Sequence, residues 1–115
     1  MRRSHIFTQF IPFFFGGDMR KESVYRSELV QRIEDRFPGC VIVPTDPQRQ
    51  QGIPDIVILF KKVWAILELK RATNAARRPN QTFFVDKFND MSFAAVIYPE
   101  NEERVLNDLQ STLGL

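Results

Sequence analysis

One cysteine and one histidine are all that the 115 residues contain, and that scarcity removes several chemistries at once. Cys40 has no partner for an internal disulfide. Its place in the apolar run Cys40-Val41-Ile42-Val43 reads as a buried thiol in a reducing compartment. His5 lies near the N-terminus with no histidine or cysteine cluster around it, which leaves no basis for a zinc site or a histidine-based triad. No apolar stretch approaches the roughly 20 residues that span a bilayer, and no repeat or low-complexity segment interrupts the chain. An excess of either charge is also missing. Sixteen Lys and Arg against 14 Asp and Glu leave a net charge of +2, too small to announce nucleic-acid binding by itself. The length suits one domain with a substantial core.

Residues 1–18 read differently from the rest. Phe7, Phe10 and Phe13-Phe14-Phe15 crowd around Pro12 and are followed by Gly16-Gly17-Asp18. Arg2-Arg3 imitates the basic start of a signal peptide, but the apolar part is short, broken by Pro12 and lacks an A-x-A-like cleavage site. The expectation is an irregular extension, with natural translation beginning at Met19. Gly-Gly-Asp can be encoded by codons resembling a bacterial ribosome-binding site, which would place the protein in the cytoplasm of a bacterial or phage-infected cell. If the segment is present, its phenylalanines need the domain or a partner chain to cover them.

From Lys21 the pattern becomes regular. Tyr25, Leu29, Val30 and Ile33 form the apolar stripe of a helix predicted to end at Phe37, before Pro38-Gly39. A strand follows over residues 40–43. Asp55-Ile56-Val57-Ile58-Leu59-Phe60 and Val63-Trp64-Ala65-Ile66-Leu67-Glu68-Leu69-Lys70 are two more, joined as a hairpin by Lys61-Lys62. A helix over residues 79–91, a short buried strand over 93–98 and a final amphipathic helix carrying Val105, Leu106, Leu109 and Leu113 complete the order αβββαβα. A helix separates the third and fourth strands, so these two are expected to run parallel while the first three form a meander.

Two carboxylates and an ammonium fall at the ends of the hairpin strands. Alternation puts Glu68 and Lys70 on one face of their strand and Leu69 on the other, and the hairpin brings Asp55 across to Glu68. Facing carboxylates repel unless a cation lies between them, and hard oxygen ligands with open positions suit Mg²⁺ or Mn²⁺. Lys70 would hold a phosphate oxygen or help deprotonate an attacking water. The plainer alternative makes Asp55 a turn cap after Pro54, with Glu68 and Lys70 a solvated charge stripe. Against it stands the apolar richness of the strands, because charges ending a buried strand need partners.

Gly52-Ile53-Pro54-Asp55, Leu67-Glu68-Leu69-Lys70 and Pro79-Asn80-Gln81, in this order, resemble the PD-(D/E)XK nuclease superfamily, and within it the virus-type replication-repair nucleases (VRR-NUC). The resemblance covers roughly residues 21–113. It implies an α/β, restriction-endonuclease-like core with a central mixed sheet flanked by helices, and metal-dependent hydrolysis of DNA phosphodiesters. Asp55, Glu68 and the backbone carbonyl of Leu69 would hold the ion. Gln81 would support Lys70 and the water. A further carboxylate is implied from the first helix, from Glu22 or Glu28. At about 100° per residue Glu22 falls on the apolar stripe and Glu28 to its side, which favours Glu22. An acid in a helix's first turn is equally the ordinary partner of the helix dipole.

Around this centre, Arg71, Arg77 and Arg78 bracket a loop from which cationic side chains would grip phosphates, and Arg49 lies in the polar loop leading to Asp55. Surface solubility explains such residues as well. A domain this small, without an appended DNA-reading module, is expected to recognise shape, and the resemblance likewise favours branched or junction DNA. A two-fold homodimer would present two sites to two strands. Two other classes compete: a non-catalytic nucleic-acid-binding protein on a nuclease fold, and a sequence-specific restriction-type endonuclease.

Overall fold

The computed structural model describes residues 22–73, 75 and 79–115, so the readings of residues 1–18 and of Arg77 and Arg78 lie outside the described residues. Its elements run α1 (Glu22–Arg36), β1 (Val41–Pro44), β2 (Ile56–Phe60), β3 (Val63–Leu69), α2 (Pro79–Met91), β4 (Phe93–Ile97), a single 3₁₀ turn (Pro99–Asn101) and α3 (Glu102–Thr112). The fold is α/β, a four-stranded mixed sheet flanked by helices. The sheet order is β1-β2-β3-β4, with β1–β2 and β2–β3 antiparallel and β3–β4 parallel. The meander and the parallel pair are therefore both present.

Each element ends for a local reason. Helix α1 stops where Pro38 and Gly39 leave the helical path. Gly39 has φ +93°, a left-handed conformation that costs other residues energy, and the Cys40 N–H closes the turn on the Phe37 carbonyl at 3.0 Å. The first strand begins one residue later than expected, at Val41, and Cys40 is only half-buried ahead of it. Burial and the nearby Glu34 push the Cys40 thiol's pKa upward, which suits an unreactive thiol. Pro44 closes β1 at the sheet edge, where a residue without an N–H is tolerated.

The two sheet faces are covered by different helices. On one, Ile56, Ile58, Ala65, Leu67, Leu69 and Ile97 meet Tyr25, Leu29 and Ile33 of α1 and Val105, Leu106 and Leu109 of α3. These two helices are also clasped by hydrogen bonds. Arg32 donates from Nε and Nη2 to both Glu102 oxygens at 2.6 and 2.9 Å, and the Tyr25 hydroxyl donates to Glu102 Oε1 at 3.0 Å. On the other face, Val85 and Phe88 of α2 pack on Trp64, Ile66, Ala94 and Val96. Trp64 meets Phe88 edge-on, with centroids 6.2 Å apart. Helix α2 lies mainly over the β3–β4 half of this face, with Val57 of β2 against the same cluster, and Val41, Val43 and Leu59 of the β1–β2 half are exposed. Glu68 points to the α2 side, so the chemical face is itself partly core.

Candidate active site

The hairpin register builds the centre. Ile56 pairs with Leu67, which puts Asp55, one residue before β2, opposite Glu68. Asp55 is then held at both carboxylate oxygens. Oδ2 accepts the Leu69 N–H at 2.6 Å, and Oδ1 accepts Arg26 Nη2 at 3.2 Å. Its backbone is fixed from the end of β1. The Thr45 N–H donates to the Asp55 carbonyl at 3.0 Å, and the Thr45 hydroxyl lies 2.7 and 3.1 Å from the carbonyls of Pro54 and Asp55. Pro54 is fully buried at this corner. Thr45, one residue beyond β1, is thus a support for the candidate carboxylate.

Glu68 and Lys70 stand side by side beneath the start of α2. The Lys70 N–H donates to the Ile97 carbonyl at 2.9 Å, continuing the parallel ladder one residue beyond β3. Its ammonium donates to Gln81 Oε1 at 3.2 Å and lies 3.4 Å from Glu68 Oε2. Gln81 Nε2 in turn donates to Glu68 Oε2 at 2.9 Å. Gln81 therefore ties acid to base, its amide matching one acceptor and one donor to the two. Glu68 is only 2% exposed, and its second oxygen, Oε1, has no hydrogen-bond partner among the described residues. Burial first, then the Asp55 charge, pushes its pKa up to about 7, against a smaller lowering by Lys70.

The first helix contributes differently from its periodicity. Glu28 is buried and acts electrostatically on Arg32, itself paired with Glu102 of α3, whereas Val30 is only half-buried. Glu22 keeps 40% of its side chain exposed, with Oε2 3.7 Å from Arg26 Nη2. Its pKa is raised by burial and then by Asp55, and lowered by Lys70, Arg26 and Arg71, so its carboxylate faces the centre although it does not touch Asp55 or Glu68. Arg71 is exposed beside this group. Arg49 is exposed in the turn after Asp46, outside the bonds that join Glu68, Lys70 and Gln81.

Two features of the site have no sequence counterpart. Arg26, one helical turn after Glu22, bridges that residue and Asp55, and i,i+4 spacing predicts only the first contact. Gly52, at φ +87°, packs so closely on Asn80 that an added Cβ would lie 2.6 Å from its side chain. The same contact joins the Gly52–Asp55 corner to the helix start that carries Gln81, with Asn80 Nδ2 3.4 Å from the Gln51 carbonyl. Among the described residues, no three His, Cys, Asp or Glu side chains are gathered closely enough to hold a metal ion. No helix among them is long and apolar enough to cross a membrane. No protein-family model, curated protein or solved structure matches the chain, and the geometry of these side chains therefore carries the functional argument.

Proposed function

We propose that the protein is a metal-dependent endonuclease of the VRR-NUC type that hydrolyses DNA phosphodiester bonds, acting on branched or junction DNA as a homodimer. The observation that carries the reading is the bonded set Glu68, Lys70 and Gln81, with Asp55 held opposite Glu68 by the Leu69 N–H, in which the buried Glu68 Oε1 lacks a partner among the described residues. Leaving such an oxygen dry and unpaired costs free energy, and a structural charge stripe gives no return for that cost.

The donors fit a hard divalent cation. Glu68 Oε1 would bind it together with Asp55 and the Leu69 carbonyl, and Glu22 would serve a second ion or a water. Mg²⁺ or Mn²⁺ bound there supplies Lewis-acid polarisation of the phosphodiester and a lowered pKa for water. The remaining work belongs to the chain. Gln81 fixes the Lys70 ammonium, and Lys70 positions the nucleophilic water and steadies its negative charge. Arg71, exposed beside the acids, grips phosphate.

The test is cleavage of labelled linear duplex, nicked, flap and four-way-junction DNA in Mg²⁺ or Mn²⁺ against EDTA, with Asp55→Ala beside the parent. Cutting that needs the ion and disappears in the variant supports the proposal. Full metal-dependent activity in Asp55→Ala defeats it, and a fixed cleavage sequence on linear duplex replaces the junction enzyme by a restriction-type one.

A further inference from the structure

Two arginines on α1 make carboxylate contacts of opposite character. Arg32 offers two nitrogens to the two oxygens of Glu102, the bidentate form of a structural clamp. Arg26 places both of its contacts on Nη2, at 3.2 Å from Asp55 Oδ1 and 3.7 Å from Glu22 Oε2, with 35% of its side chain exposed. That is a single-point attachment at the mouth of the site.

The oxygen it holds is the decisive detail. Asp55 Oδ2 is engaged by the short 2.6 Å bond from the Leu69 N–H, so Oδ1 is the less committed oxygen for a cation, and Oδ1 is the one that Arg26 contacts, at 3.2 Å. A guanidinium and a divalent ion crowding one oxygen repel each other. We infer that Arg26 is a displaceable counter-ion: it neutralises Asp55 in the ion-free protein, and binding of a divalent cation releases its guanidinium to take a phosphate of the DNA. This rests on the nuclease reading and adds a coupling between ion and substrate. The planar fork suits phosphate oxygens, and after release the side chain starts beside the acids that flank the scissile bond.

The experiment uses the full chain, Arg26→Gln and Arg26→Lys, with Mn²⁺ titrated calorimetrically at low salt and without DNA. Arg26→Gln should bind Mn²⁺ up to about fivefold tighter than the parent, the range expected for removing a partly exposed competing pair, while Arg26→Lys stays near the parent. A labelled four-way junction is then titrated by anisotropy in Ca²⁺ and in EDTA. Arg26→Gln should lose severalfold affinity in Ca²⁺ and little in EDTA, where the parent's arginine is still engaged with Asp55. Mn²⁺ binding by Arg26→Gln that is equal to or weaker than the parent's overturns the displacement, and junction affinity in Ca²⁺ equal to the parent's overturns the transfer to phosphate. A parent that takes up no Mn²⁺ overturns the nuclease reading itself.

Discussion

Replacing Glu68 by glutamine in the ion-free protein tests whether the buried carboxylate is held there against its own stability. The folded chain raises its pKa from the ordinary 4.5 to about 7. Between those values folded Glu68 keeps a proton that the unfolded chain has released, so the native state binds more protons and stability falls as pH rises. The whole penalty is present above pH 7 and absent below 4.5. At 1.36 kcal/mol per pH unit it amounts to about 3 kcal/mol. Glutamine has nearly the same shape and no charge, so it removes this loss. It also gives the site an amide N–H₂ to satisfy, a cost of about 1–2 kcal/mol at every pH, which reduces the expected net gain at pH 8 to about 1–2 kcal/mol. For a chain of this length that is about 4–8 °C in Tm. Thermal unfolding followed by circular dichroism in EDTA, at pH 5, 6, 7 and 8, should show the variant level with the parent or up to about 1 kcal/mol below it at pH 5, and rising past it as pH increases. A separation independent of pH, or a variant less stable at pH 8, refutes the assignment of the strain to Glu68. Saturating Mn²⁺ should close the gap by stabilising the parent, by about 2.7 kcal/mol at a hundredfold excess over Kd.

Other expectations follow from packing. Gly52→Ala combines a left-handed backbone with a Cβ 2.6 Å from Asn80. It should cost about 1 kcal/mol or more and also lower kcat by shifting Gln81, read as loss of cleavage larger than the fall in Tm explains. Leu67→Ala empties a fully buried position between the helices and should cost about 2–5 kcal/mol in urea unfolding. A cost below about 1 kcal/mol would show that the core at Leu67 can collapse around the loss.

The fold was largely readable because its signals are local. Alternation in residues 55–70, the two-residue Lys61-Lys62 connection and the helix between the third and fourth strands dictate the meander and the parallel pair without reference to anything distant. Asp55, Glu68 and Lys70 were legible for the same reason. What escaped depends on contacts between elements. The stripe through Tyr25, Leu29 and Ile33 is broad enough to bury Glu28 beside it, which a count of helical angles does not resolve. Thr45, Arg26 and the Gly52–Asn80 approach act on residues 10 to 29 positions away, and their chemistry as hydroxyl, cation and missing side chain is common on any surface. Partner choice for such groups is set by packing angle, which a linear pattern does not encode.

The register of the β2–β3 hairpin has a consequence for how this chain tolerates change. Because side chains alternate, one residue inserted between Phe60 and Val63 with the connection held at two residues would slip the register by one, turn Leu69 toward α2 and drive Glu68 into the α1–α3 core. Insertion and deletion scanning should therefore divide the chain sharply. The exposed turn at 46–50 should accept extra residues freely, and the Lys61-Lys62 connection only those that lengthen the loop and leave the Ile56–Leu67 pairing in place.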